Sequence, residues 1–174
     1  MVTPRLETLC TALAQVLIAR KLSMVTAESC TGGLIAASCT QLSGSSAWFE
    51  RGFVTYSNAA KSELLGVPAS LIEAQGAVSE EVAKAMALGA LAHSPAHISV
   101  AVTGIAGPTG GSDAKPVGTV WLAWAWRDLQ QNLHSETMLR QFEGTRSEVR
   151  DATAELALAH LTELVKKTGK KIPT

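Results

Sequence analysis

The chain is 174 residues long and 47% hydrophobic, the size of one compact domain with enough apolar side chains to fill a core. Fifteen Lys and Arg balance fifteen Asp and Glu, and only 17% of residues are charged, so no broad positive field gathers nucleic acid or an anionic membrane. No apolar run approaches the roughly 18 to 20 residues that span a bilayer, and MVTPRLETLC has no basic flank before an apolar signal core; a soluble, cytoplasmic protein is expected.

Leu6, Leu9, Leu13, Val16 and Leu17 recur at helical spacing behind Pro4, and Arg20 and Lys21 suit a carboxy-terminal end, which predicts an amphipathic first helix. MVTAE, Met24 to Glu28, reads as a strand, SCTGG as a glycine turn and LIAASCTQL as an apolar helix. WFERGFVTYS, Trp48 to Ser57, is rich in aromatic and β-branched residues and predicts a strand ending near Tyr56. Asn58 is placed to cap a short helix, AAKSELLG, that stops at Gly66, and Ser79 caps a longer one, EEVAKAMALGALAH. HISVAVT (97–103) and VGTVWLAWAWR (117–127) read as buried strands on either side of GIAGPTGGSDAKP, a loop too rich in glycine for either regular element. LHSETMLRQF (133–142) alternates as a half-buried strand, and Gly144 opens a last helix from about Thr145 to Lys167.

Helices interspersed with about five strands predict a single three-layer α/β/α domain over residues 1–168, with a frayed tail at 169–174. The short turn between 117–127 and 133–142 pairs those strands antiparallel, so the sheet is mixed. Trp121, Trp124 and Trp126 cannot all share one face, because 124 is odd-spaced from 121. Core packing is the default for all four tryptophans, with Trp48 and Phe49 a candidate base-stacking wall. Cys10, Cys30 and Cys39 have no zinc-ligand spacing and suit reduced thiols, and Pro95 breaks the helix that would align His93 with His97, so no metal is expected.

Ser29, Cys30, Thr31, Gly32 and Gly33 stand where a strand ends and a helix begins, a junction whose free amides attract anions. The plain reading makes Ser29 or Thr31 the helix cap; the functional one makes a side chain here a nucleophile with neighbouring amides as its oxyanion hole. No histidine lies at the carboxy end of a predicted strand or in a glycine-rich loop, which disfavours a Ser-His-Asp triad and makes a lysine the candidate base. Lys61 falls in the first turn of a short helix, where the macrodipole opposes its charge, and burial would lower its pKa further. Its alternative is a solvated surface lysine. Tyr56, the only tyrosine, is placed to relay or orient the proton, or else packs at the core edge.

The loop from Thr103 to Lys115 carries Gly104, Gly107, Gly110 and Gly111 behind a strand, at the edge where α/β sheets bind ligands, yet it matches neither a Walker A nor a GxGxxG pattern. Arg146 and Arg150, four apart at the start of the last helix, oppose its dipole, which hints at a phosphate or carboxylate gripped by Arg146. Salt bridges to Glu143 or Glu148 are the bland alternative.

Taken together, TAESCTGG (26–33), GSSAWFERGFVTYSNAAK (44–61), GAVSEEV (76–82), VTGIAGPTGGSDAKPVGTVW (102–121) and GTRSEVR (144–150) resemble the CinA carboxy-terminal-domain family over nearly the whole chain. Stand-alone members of that family are nicotinamide mononucleotide deamidases. The resemblance implies hydrolysis of the carboxamide of nicotinamide mononucleotide to nicotinic acid mononucleotide and ammonia, in pyridine nucleotide salvage, without metal or cofactor. It implies Ser29 as nucleophile with Lys61 and Tyr56 as catalytic partners, and amides near Cys30, Thr31, Gly32 and Gly33 holding the oxyanion. Thr103, Gly104, Gly107 and Arg146 are the implied substrate-binding residues. Cys30 is a second nucleophile by position. Thr145 stands where some relatives carry an acidic residue, and the additional amino-terminal domain of longer members is not expected here, so its activities do not transfer. A homodimer or higher oligomer is expected, with a small nucleotide as the only other partner and neither nucleic acid nor membrane. The alternatives are a non-catalytic nucleotide-binding regulatory module and an interaction protein that uses the Trp-rich strand.

Overall fold

The computed structural model describes residues 2–168 and 171–173. In chain order it runs α1 (Pro4–Ala19), β1 (Met24–Glu28), α2 (Leu34–Thr40), β2 (Phe49–Val54), α3 (Asn58–Leu65), α4 (Ala69–Gln75), α5 (Glu80–Ala92), β3 (Ile98–Gly104), β4 (Thr119–Arg127), β5 (Leu133–Gln141) and α6 (Arg146–Thr168). The five strands form one sheet in the order β2-β1-β3-β4-β5. β2, β1 and β3 are parallel, while β4 runs antiparallel to both β3 and β5. The carboxy ends of β1, β2, β3 and β5 therefore meet along one edge, and α6 starts from it.

The period-two alternation of the strands sorts their side chains into two cores. Met24, Ile98, Val100, Val102, Val120, Leu122, Trp124 and Trp126 face α1, α2 and α6. Val25, Ala27, Ala101, Ala123 and Ala125 face α3, α4 and α5. This is the three-layer α/β/α arrangement with the mixed five-stranded sheet that the element order predicts. Trp124 and Trp126 share a face and Trp121 takes the other; the Trp124 indole Nε1 donates to the Ala157 carbonyl of α6 at 3.2 Å. Trp48 is buried in the same core and is not a base-stacking wall.

Several element boundaries differ from expectation. Ser57, not Asn58, caps α3: its backbone is extended and its hydroxyl accepts from the Ala60 amide, which leaves Asn58 as the first helical residue. Helix α4 follows Pro68, whose proline nitrogen and missing side-chain cap give no start signal, and it was not expected. β2 stops at Val54 and β4 starts at Thr119, after Gly118 at φ +93. In the expected tail, Ile172 is buried against the first core, while residues 169, 170 and 174 lie outside the described residues. Among the described residues no helix is long and apolar enough to cross a membrane.

The α5 face of the sheet is lined with alanine, and α5 brings Ala83, Ala87 and Ala90 against it. That lets the helix sit close, with Ser99 Oγ donating to the Ala87 carbonyl at 2.8 Å. Gly89 on the same helix meets the end of α3: a Cβ there would lie 2.0 Å from the Leu65 carbonyl oxygen. Gly89→Ala gains about 1 kcal/mol of helix propensity but forces two backbones apart, at about 3 kcal/mol. The net loss of about 2 kcal/mol should lower Tm by roughly 6 °C in calorimetry, and an unchanged Tm would refute this close contact.

Candidate active site

Ser29 follows directly on β1, and its loop is held by both neighbouring strands. The Ser29 amide donates to the Val102 carbonyl at 3.0 Å, and the Thr55 amide donates to the Glu28 carbonyl at 2.8 Å. From α3, Lys61 reaches under this loop: its Nζ lies 3.1 Å from Ser29 Oγ and 2.9 Å from the Thr55 carbonyl oxygen. The lysine is only 1% exposed and has no carboxylate at ion-pairing distance among the described residues. Burial lowers its pKa below the ordinary lysine value of 10.5. Deprotonated, it offers a lone pair to the Ser29 hydroxyl while an N–H still donates to Thr55. This is the arrangement a serine nucleophile and a lysine base require, and it excludes the solvated-surface reading of Lys61.

The loop between β1 and α2 is organised by a residue the sequence reading passed over as part of a strand. The Glu28 carboxylate is fully buried. It accepts from the amides of Ile35 and Ala36 at 3.0 and 2.8 Å and from the Thr31 hydroxyl at 2.7 Å. The cap residue of α2 is Gly33, at φ +91 with no side chain to offer, so neither Ser29 nor Thr31 caps the helix. Glu28 does that work from one strand away and ties Thr31 in place. Arg150 of α6 grips the same residue from outside, donating through Nε and Nη2 to the Thr31 carbonyl at 3.2 and 2.6 Å. With the loop so fixed, the amides of Cys30 and Thr31 have no oxygen acceptor among the described residues; the group they face is the Cys30 thiol. Burial pushes the Cys30 thiol up to about 12, which makes it a poor nucleophile beside Ser29.

A cavity of about 200 Å³ opens over Ser29. The expected residues Ser29, Cys30, Tyr56, Lys61, Thr103, Gly104 and Arg146 line it, joined by Asn58, Ala77, Val78 and Ala106. Thr31, Gly32 and Gly33 do not line it; they shape the loop behind it. Gly107 contributes through its carbonyl, which accepts from Arg146 Nη1 at 2.8 Å. Arg146 Nη2 donates to the Tyr56 hydroxyl at 3.0 Å. Tyr56 is 62% exposed and makes no hydrogen bond to Ser29 or Lys61, so it stands at the mouth of the cavity. Arg146 forms no salt bridge with Glu143 or Glu148, because Glu148 accepts from the amide and hydroxyl of Thr145 in a capping box. Asn58 faces the cavity because Ser57 has taken the cap. Neither Glu28 nor Arg150 had a stated role in the sequence reading. The signal for Glu28 was a carboxylate at the end of an otherwise uncharged strand, which burial allows only if donors surround it.

The family model for the CinA C-terminal domain matches residues 6–165. The chain belongs to the CinA C-terminal domain family. This CinA domain is 53% identical over 159 residues to a Pseudomonas putida protein named nicotinamide-nucleotide amidohydrolase PncC, covering 91% of this chain and 96% of that one. It is 48% identical over 151 residues to the protein of the same name from Escherichia coli K12, covering 86% and 88%. Among solved structures, a competence/damage inducible protein CihA from Agrobacterium tumefaciens superposes with a TM-score of 0.87 at 45% identity, covering 94% of this chain and 98% of that one. The domain also matches 34% of the length of a CinA-like protein from Akkermansia muciniphila at 51% identity.

Glu28→Ala removes the acceptor for two helix amides and a buried hydroxyl. The expected loss is about 3 kcal/mol, or a fall of roughly 9 °C in Tm by calorimetry. A variant within 2 °C of the parent, an interval on the order of 1 kcal/mol or less, would show that Glu28 does not hold the loop.

Proposed function

We propose that this protein hydrolyses the carboxamide of nicotinamide mononucleotide, releasing ammonia and nicotinic acid mononucleotide, with Ser29 as nucleophile and Lys61 as general base. The observation that carries the reading is the 3.1 Å contact between a buried lysine and a cavity-facing serine, beside two amides with no oxygen acceptor among the described residues. The names of the relatives supply the substrate.

In this reaction neutral Lys61 takes the Ser29 proton as Oγ bonds to the carboxamide carbon. The carbonyl oxygen becomes an oxyanion held by the Cys30 and Thr31 amides, donors in place before charge develops. Protonated Lys61 then gives its proton to the departing nitrogen, and ammonia leaves an ester on Ser29. Water attacks that ester, Lys61 accepts the water proton and returns it to Ser29 Oγ, and the acid is released. Arg146 meets the phosphate with paired N–H groups, a geometry a guanidinium suits. Tyr56 orients Arg146 and the nucleotide at the cavity mouth, a binding part in place of the proton relay expected from its position in the chain. Thr103 and Gly104 form the floor; Gly104 has no room for a side chain, since a Cβ would lie 2.7 Å from the Thr119 carbonyl oxygen. The reaction belongs to pyridine nucleotide salvage in the cytoplasm.

The test is ammonia release from nicotinamide mononucleotide in excess chelator. Ser29→Ala and Lys61→Met should each lower kcat by at least about 10³-fold. Cys30→Ala keeps its backbone amide and should retain on the order of a hundredfold more turnover than Ser29→Ala. Because the base works deprotonated and burial lowers its pKa, kcat should rise with pH and level off below the ordinary lysine range. A flat profile would remove Lys61 as the base. An inert wild type that still binds the nucleotide would make the domain a non-catalytic binding module.

A further inference from the structure

The four carbonyls from Gln75, the last residue of α4, to Val78 in the link to α5 are all held by side chains. Lys115 Nζ donates to Gln75 at 3.2 Å and to Val78 at 2.7 Å. Ser79 Oγ donates to Gly76 at 2.9 Å, and Thr103 Oγ1 donates to Ala77 at 2.8 Å. No backbone amide outside the regular elements uses any of the four. A peptide plane sends its N–H opposite to its C=O, so fixing the Gly76 and Ala77 carbonyls also fixes the amides of Ala77 and Val78. Neither amide has an acceptor among the described residues, and both residues line the cavity over Ser29.

Of this set, Lys115 reaches farthest along the chain. It projects from the glycine loop between β3 and β4, where Ser112 and Lys115 close a tight turn by exchanging amide-to-carbonyl hydrogen bonds at 3.0 and 3.1 Å. Its ammonium has no carboxylate partner among the described residues. It meets the carboxy end of α4, where unpaired carbonyls favour a cation. Lys115 does not itself line the cavity.

We propose that residues 75–78 form a substrate-binding wall that presents the Ala77 and Val78 amides to the nucleotide, and that Lys115, which pins the Gln75 and Val78 carbonyls on either side of the two peptide planes held by Ser79 and Thr103, is the positioning residue that braces this wall. The strut couples the glycine loop to the wall, which gives the long loop its reason to be ordered. The amides face an oxygen-bearing substrate as hydrogen-bond donors, while the Ala77 and Val78 side chains offer an apolar surface to its ring. The kinetic part of this inference rests on the amidase reading; the structural part does not.

The experiment compares Lys115→Met and Lys115→Arg with the parent, by hydrogen exchange of the ligand-free protein and by kinetics on nicotinamide mononucleotide. In Lys115→Met, amides of 76–79 and 105–116 should exchange about tenfold faster while those in the middle of α5 are unaltered, the signature of a local opening. KM should rise about tenfold, the scale of one lost hydrogen bond to a charged group, with kcat held within about twofold. Lys115→Arg, which keeps charge and donors, should recover part of both effects. Unchanged exchange in Lys115→Met overturns the strut. Faster exchange with an unchanged KM, or a fall in kcat at constant KM, overturns the wall as a binding element. A wild type inert toward nicotinamide mononucleotide would instead strike the amidase reading, and the exchange comparison would still decide the strut.

Discussion

Burying the amine of Lys61 without a countercharge is the constraint around which this molecule is arranged. A charged ammonium taken from water into an apolar interior is expensive, and the protein answers with a lowered pKa and not with a carboxylate. The sign of the effect on stability follows. Between its lowered folded-state pKa and 10.5, the unfolded chain binds more protons at this lysine than the folded one. Burial of Lys61 therefore costs stability at neutral pH, and the cost fades as pH rises toward the unfolded value. A protein that accepts such a cost at a cavity gains a base that is neutral where an ordinary lysine is charged.

The rest of the site keeps that base aimed. Glu28 and Arg150 hold Thr31 by its hydroxyl and its carbonyl, which fixes the loop beside Ser29. The two arginines at the start of α6, unfavourable toward the helix dipole, find their compensation in carbonyl oxygens of separate loops: Gly107 for Arg146 and Thr31 for Arg150. One helix end thus braces the nucleophile loop and the glycine loop at once. The edge where β1, β2, β3 and β5 end collects these parts, as the parallel half of a sheet does in α/β proteins.

Much of this was legible in the sequence. The strands of the core and the mixed sheet follow from apolar runs and a short turn; a glycine turn after a strand and a lysine early in a helix make Ser29 and Lys61 candidates, and it is the family resemblance that pairs them. What was not legible is tertiary. Asn58 and Ser57 are adjacent and both cap well, so pattern alone does not choose between them, yet the choice decides which one faces the cavity. Tyr56 lies two residues past the end of β2, and only the fold brings it to Arg146, ninety residues on. Glu28 reads as the last residue of a strand until α2 folds its amides onto it. Lys115 meets carbonyls some forty positions away, a contact that no local propensity encodes.

Direct titration of Lys61 tests the account most closely. With lysines labelled at the ε position, heteronuclear NMR follows the chemical shift of the Lys61 signal, assigned by its absence in Lys61→Met, across pH. The account predicts a midpoint below the ordinary lysine value of 10.5, set by burial against Ser29 and Thr55. A midpoint at or above 10.5 would mean that Lys61 is charged at working pH, and the serine–lysine mechanism would fail with it.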